Sequence, residues 1–301
     1  MTYLTAAGLV ITAAILFGLQ PVYGLMLKGA SVDVTGLMLI RFAVPAMAVL
    51  AWVVIKRPPM PWRACVKHAS MGLAFAITGI GYYQAGYRIG FSLAVLLFYA
   101  FPLMITLYSV VVLRIALGRT QVIAVLAASA GLVLATDIES IKASSSIAWD
   151  GIAWALLAAA SYAYILTYKS HYAPPLNEAA SLLMLTLGAT ITTAGVAAIN
   201  GASLPSGGYE WQWSLTLAIF AGLIPIALIM LGAPRAGATD TATCCLIEPV
   251  VAVMVAVLLM GEPISVATLL GGGIIVASAV VLVRARHQQS PTGNRKATRL
   301  A

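Results

Sequence analysis

Charge is what this sequence lacks most. Only 9% of its 301 residues are Asp, Glu, Lys or Arg, while 61% are hydrophobic; ordinary soluble domains carry about 25% charged and roughly 45–50% apolar residues. A soluble fold has nowhere to hide that much apolar surface, so a bilayer is implied. Cysteine is scarce too. Cys65, Cys244 and Cys245 have no Cys or His companions at zinc-site spacing, and neither a disulfide nor a structural metal is expected. The net charge of +8 does not indicate nucleic acid, because Lys and Arg are scattered between apolar runs and never gathered on one solvated face. No lysine follows a glycine run in Walker fashion, which excludes a phosphate-binding loop and an ATP-driven pump built from this chain alone. His68, His171 and His287 lie apart at the ends of apolar runs. No Ser/His/Asp constellation accompanies them, so no enzyme activity and no cofactor are expected. The N-terminus shows neither the basic region nor the cleavage site of a signal peptide and reads as a first, retained helix.

What is present is a succession of apolar runs at about 4–27, 35–55, 69–88, 91–113, 119–136, 150–171, 178–200, 211–232, 236–259 and 263–284. Crossing a hydrocarbon core about 30 Å thick takes roughly 20 apolar residues. The pattern predicts an all-α integral membrane protein of about ten transmembrane helices, followed by a disordered basic cytoplasmic tail at 287–301. Orientation follows from where positive charge collects. With the N-terminus inside, thirteen Lys and Arg, among them Lys56, Arg57, Arg114, Arg119, Lys169 and Arg284, fall on the inner side, against Lys28, Arg88 and Lys142 outside. The acids Asp33, Asp137, Glu139, Asp150, Glu210 and Glu262 collect outside. Both termini are therefore expected in the cytoplasm.

Sliding the chain by 147 residues sets Tyr87-Arg88-Ile89-Gly90 on Pro234-Arg235-Ala236-Gly237, and Pro102 on Pro249. Two five-helix halves, 1–140 and 148–286, would explain the match. An odd number of helices inverts the second half, and inverted repeats are the build of many secondary transporters, with the substrate near the midplane between them.

The residues that carry a family likeness lie in the same places. YYQAGYRIGFSLAVLLFYAFPLMITLYSVVVL (82–113), APRAGATDTATCCLIEPVVAVMVAVLLMGEPIS (233–265) and LIRFAVPAMAV (39–49) resemble signatures of the drug/metabolite transporter superfamily, EamA type. The resemblance covers about 4–284, and the mid-membrane tyrosines resemble those of the bacterial aromatic amino-acid exporter branch. It implies a ten-helix carrier of two inverted repeats in the inner membrane, exporting amino acids through a central cavity by alternating access. One departure is Phe17-Gly18-Leu19-Gln20-Pro21, where many members carry Trp-Gly, so the first helix's contacts with substrate cannot be carried over.

Glu248 is the most informative side chain. It falls about 12 residues into the ninth run, roughly 18 Å deep at 1.5 Å per residue, where a carboxylate must be paired, protonated or wet. Pro249 beside it, like Pro102 in the first half, removes a helix hydrogen bond and frees a carbonyl. A purely structural carboxyl is the alternative reading. Arg41 is expected to snorkel to the outer interface or to make a structural pairing, or else to turn inward toward a substrate carboxylate or Glu248. Asp240 is expected to pair with Arg235, away from transport. Tyr87, Trp52, Trp62 and Trp211 lie at run ends and fit an interfacial belt. Tyr99 and Tyr162 lie too deep for that, and buried phenols need partners. A polar cavity lined by Gln20, Tyr82, Tyr99, Ser161, Tyr162, Cys244 and Glu248 would supply them and offer aromatic faces to a ring or an ammonium group. The small residues of Ala127–Gly131 and Gly271–Gly273 suit close helix packing within the fold or a dimer seam, giving a monomer or a weak homodimer. Rival readings are a carrier for nucleotide sugars or cationic drugs, a membrane-embedded enzyme, and a channel. A nucleotide site would want several midplane cations, and the sequence places Arg41 alone there.

Overall fold

The structure is a computed structural model that describes residues 2–112, 114, 118–136, 148–236, 241, 244–262 and 264–289. Its elements are α1 (Tyr3–Gly18), α2 (Gln20–Met26), α3 (Val34–Lys56), α4 (Trp62–Ile89), α5 (Phe91–Phe98), α6 (Phe101–Val111), α7 (Arg119–Thr136), α8 (Trp149–His171), α9 (Glu178–Asn200), α10 (Gly208–Ala218), a π-helical turn (Ile219–Leu223), α11 (Ile224–Ala236), α12 (Ile247–Met260) and α13 (Val266–Gln289). There is no strand among the described residues. Seven helical stretches among them are long and apolar enough to cross a membrane, and 122–131, 247–260 and 266–278 are shorter apolar helices. Large apolar side chains such as Leu73, Ile123, Ile191, Leu231 and Leu258 stand exposed along the spans. In water such a surface would aggregate; against lipid it is what the solvent requires.

Helix ends are set by local chemistry. Asp33 precedes α3 and accepts a hydrogen bond from the Gly36 N–H at 2.7 Å. Asn177 does the same for α9 through the Ala179 N–H at 3.0 Å, each satisfying a donor the helix cannot. The apolar runs understate the helices where polar residues extend them past the hydrocarbon. The third span begins at Trp62, so His68 lies inside α4, buried, and not at a free end. Likewise α13 reaches Gln289, so 287–289 are helical, and the rest of the expected tail lies outside the described residues.

Helices of the first half pack chiefly on helices of the second. α4 lies on α8 and α9, α1 on α11 and α12, α3 on α9 and α10, α5 on α12, and α7 on α13. With α4 and α9 the backbones nearly touch: a Cβ on Gly188 would lie 2.0 Å from the Ala69 carbonyl oxygen, and one on Gly72 would lie 2.4 Å from the Ala189 nitrogen. The glycine runs behave similarly within the fold, Gly131 of α7 facing the Gly271 carbonyl of α13.

Several spans are broken near their middles. α1 gives way to α2 at Leu19, α5 to α6 at Tyr99 and Ala100, and α12 starts after a turn at Leu246. Pro21, Pro102 and Pro249 sit in the first turn after each break, where a missing N–H costs nothing. The π-helical turn interrupts the span from α10 to α11, with Ala221 out of helical geometry at φ −117°, ψ 15°.

Candidate substrate site

The three proline-marked breaks meet. Gly18, at the end of α1, lets its backbone press on the first turn of α12: a Cβ there would lie 2.9 Å from the Glu248 carbonyl and 2.6 Å from Val251 Cβ. From the break between α5 and α6, the Tyr99 hydroxyl lies 3.0 Å from Glu248 Oε2 and 3.1 Å from the Cys245 carbonyl, both acceptors for its one proton. Glu248 is therefore not twelve residues inside a continuous helix. It occupies the first turn of α12, where the helix dipole favours a negative charge. The side chain is half-buried. The ion pairs within 4.0 Å among the described residues are Arg88 with Asp150 and Lys169 with Glu178, so none of the described cations contacts Glu248.

Arg41 turns inward. Its Nη2 donates to the Ala221 carbonyl at 3.3 Å, Nη1 reaches Met38 Sδ at 4.0 Å, and the guanidinium carbon lies 5.9 Å from the centre of the Tyr83 ring. Of the directions the sequence leaves open for Arg41, the inward one is taken, with a carbonyl of the π-helical turn as its acceptor. Tyr83, fully buried, donates to the Gln20 carbonyl at 3.2 Å, and Tyr87 donates to the Gly24 carbonyl at 3.2 Å. α2 is too short to bond all its own carbonyls, and two tyrosines of α4 take them. Tyr87 is thus a strut of the fold as well as a belt residue.

An aromatic cluster surrounds the Tyr99–Glu248 bond. Tyr162 meets Phe101 edge-on at 4.9 Å and Phe98 at 5.4 Å; Tyr99 lies 5.5 Å from Phe101; Tyr82 packs on Phe98 at 6.0 Å and Tyr83 at 5.7 Å. Of the residues chosen from sequence, Tyr99 and Glu248 are in direct contact, and Tyr82 and Tyr162 join them through phenylalanine rings. Gln20 is buried and enters through its backbone carbonyl. Ser161 is buried on α8 beside Tyr162, and Cys244 is half-buried, five residues before Pro249. The expected Asp240–Arg235 pair lies outside the described residues. Sequence reasoning missed Tyr83, Phe98, Phe101 and the carbonyls of Ala221 and Cys245. A doubled tyrosine and a Phe-Pro step were the available hints for the rings, and nothing marks a freed carbonyl. Together these groups offer a carboxylate, phenols, a guanidinium and aromatic faces, a set suited to holding a small polar molecule. No cluster of metal-ligating side chains occurs among the described residues.

Comparison with known proteins agrees on the architecture. The sequence model of the EamA-like transporter family matches residues 4–136 and again 149–284. A solved structure described only as "Crystal structure of protein" is similar over 95% of this chain and 99% of its own, with a TM-score of 0.63 at 19% identity, a likeness of fold. The sequence matches none of the curated proteins with which it was compared.

Proposed function

The chain belongs to the EamA-like transporter family, and from that premise we propose that it exports amino acids, aromatic or bulky neutral ones above all, across the inner membrane by alternating access. The coarser statement needs no proposal: this is a multi-pass membrane transporter of small molecules. Ten spans in two inverted halves, 1–140 and 148–286, with both termini cytoplasmic, is the arrangement we infer. The double family match supports it, as do helix contacts that pair the halves: α4 on α8 answers to α11 on α1, and α4 on α9 to α10 on α3.

The observation that carries the substrate reading is the Tyr99 hydroxyl on Glu248 inside a ring of aromatic side chains. A zwitterion stripped of water must find partners for both ends. Glu248 takes the ammonium group, Gln20 or a backbone amide at a helix break takes the carboxylate, and the substrate's side chain stacks on Tyr99 and Tyr162. A nucleotide sugar is disfavoured because Arg41 faces its diphosphate alone.

Counterflow in liposomes tests both levels. Vesicles loaded with unlabelled phenylalanine or methionine should accumulate the labelled form, which a channel would not do. Tyr99→Ala with Tyr162→Ala should weaken exchange about tenfold, the worth of a lost aromatic pair and hydrogen bond, and more than Tyr87→Ala does. Exchange of a nucleotide sugar or a lipophilic cation in place of amino acids would refute the substrate and leave the carrier standing.

A further inference from the structure

The acids that the sequence places outside do work that the substrate site does not explain. Asp33, Asp150, Glu210 and Glu262 each bond across from one half of the chain to the other. Glu262, just past the end of α12, accepts from the backbone N–H groups of Phe91 and Ser92 at 2.8 and 2.9 Å, the first turn of α5. Glu210 of α10 accepts from the Ser31 N–H at 2.8 Å and the Ser31 hydroxyl at 2.7 Å. Asp33 accepts from the Ser203 N–H at 3.0 Å and returns its own N–H to Ser203 Oγ at 3.0 Å. Arg88 and Asp150 form an ion pair at 2.5 Å. At the opposite face the side-chain bonds between halves, among the described residues, involve no carboxylate. There His68 donates from Nε2 to the Pro174 carbonyl at 3.0 Å and meets Ser181 Oγ at 2.8 Å, and Tyr108 meets Tyr172 at 2.8 Å.

The α5 and α12 pair shows what these ties restrain. The two helices run antiparallel and are fastened at both ends, by Tyr99 on Glu248 at one end and by Phe91 and Ser92 on Glu262 at the acidic face. α5 is eight residues long and unbroken, so it moves as one piece. A substrate ammonium that draws Glu248 away from Tyr99 undoes the inner fastening, and Glu262 remains as the outer one.

Resting on the carrier reading, we propose that Glu262 is the latch of the outer gate. It positions α5, and through it Tyr99, in the outward-closed state, with Glu210 and Asp33 fastening the neighbouring loops; release of these carboxylates from the opposite half opens the path outward. Carboxylate-to-amide bonds are roughly twice as strong as neutral ones, so the acidic face is the more firmly held of the two. Glutamine at 262 or 210 keeps the shape and an acceptor while removing the charge.

Accessibility reads the gate without any substrate. In a chain carrying Cys65→Ala, Cys244 and Cys245 report on the site, and a membrane-impermeant charged thiol reagent is applied to the outside of intact cells. Glu262→Gln with Glu210→Gln should raise the rate of their modification about tenfold, as expected for two weakened solvent-facing ties. Conversely, Ser31→Cys with Ser206→Cys, whose hydroxyls lie 2.9 Å apart, should on oxidation slow that modification and stop exchange until a reductant is added. An unchanged labelling rate in the glutamine variant overturns the proposal, and so does full exchange through the oxidised pair. Labelling needs no transported molecule, so a wrong substrate assignment would leave this result standing.

Discussion

Glu248→Ala is expected to cut amino-acid exchange on the order of 100-fold while the protein still folds, because a hydrogen bond to a charged group contributes about 1.5–3 kcal/mol and each 1.4 kcal/mol is tenfold. The carboxylate is half-buried in the first turn of α12, has no cation in contact among the described residues, and has the Tyr99 hydroxyl as its side-chain partner. Such a group is poised to exchange one partner for a better one. A phenol is a neutral donor; a substrate ammonium is charged, and the low dielectric of the site widens the difference. Glu248→Gln separates the two contributions, since its amide oxygen still accepts from Tyr99 but cannot attract an ammonium. It should keep the fold and lose nearly as much exchange as the alanine variant. Monodisperse, folded Glu248→Ala protein with wild-type counterflow would reduce the carboxylate to a structural acceptor.

How much of this site could be read in the sequence varies with the physics of each residue. Depth is a property of position in an apolar run, so Glu248, Tyr99 and Tyr162 stood out at once. That they share a cavity was an expectation, but the bond of the Tyr99 hydroxyl to Glu248 was not readable, because it depends on the breaks at Tyr99 and Leu246. Pro102 and Pro249 mark those breaks without saying which way the chain turns. Which of the directions open to Arg41 is taken was not readable for a related reason. Snorkelling weighs the distance to water alone, whereas the nearest acceptor is the Ala221 carbonyl released by a π-helical turn that no residue pattern announces. His68 stands at the end of its apolar run but inside the helix, because an apolar run measures the hydrocarbon thickness and α4 continues beyond it, to Trp62. The charge pattern groups Asp33, Asp150, Glu210 and Glu262 on one side, yet their partners are mostly backbone amides, which a sequence displays at every position alike.

The closest helix crossing should be the least forgiving site in the molecule. Gly188→Leu is expected to abolish recovery of folded protein, because even the first carbon of the new side chain would fall 2.0 Å from the Ala69 carbonyl oxygen, with the Gly72 backbone 3.2 Å away. Neither neighbour is a flexible side chain, so α4 and α9 would have to separate, and the α9 contacts to α3 would go with them. The counterpart crossing shows what accommodation takes. The 147-residue offset sets Arg41 on Gly188, and there the helix opposite α3 does bulge: the π-helical turn at Ile219–Leu223 makes room, and its freed Ala221 carbonyl binds the guanidinium. α4 has no such turn, so Gly188 has no equivalent escape. Gly195 supplies the control on the same helix, with nothing within 4 Å of its hypothetical Cβ and an exposed position. Gly195→Leu should therefore be recovered in normal yield and elute as wild type from size-exclusion chromatography in detergent. Equal yields of the two leucine variants would mean that α4 and α9 do not cross at Gly72 and Gly188.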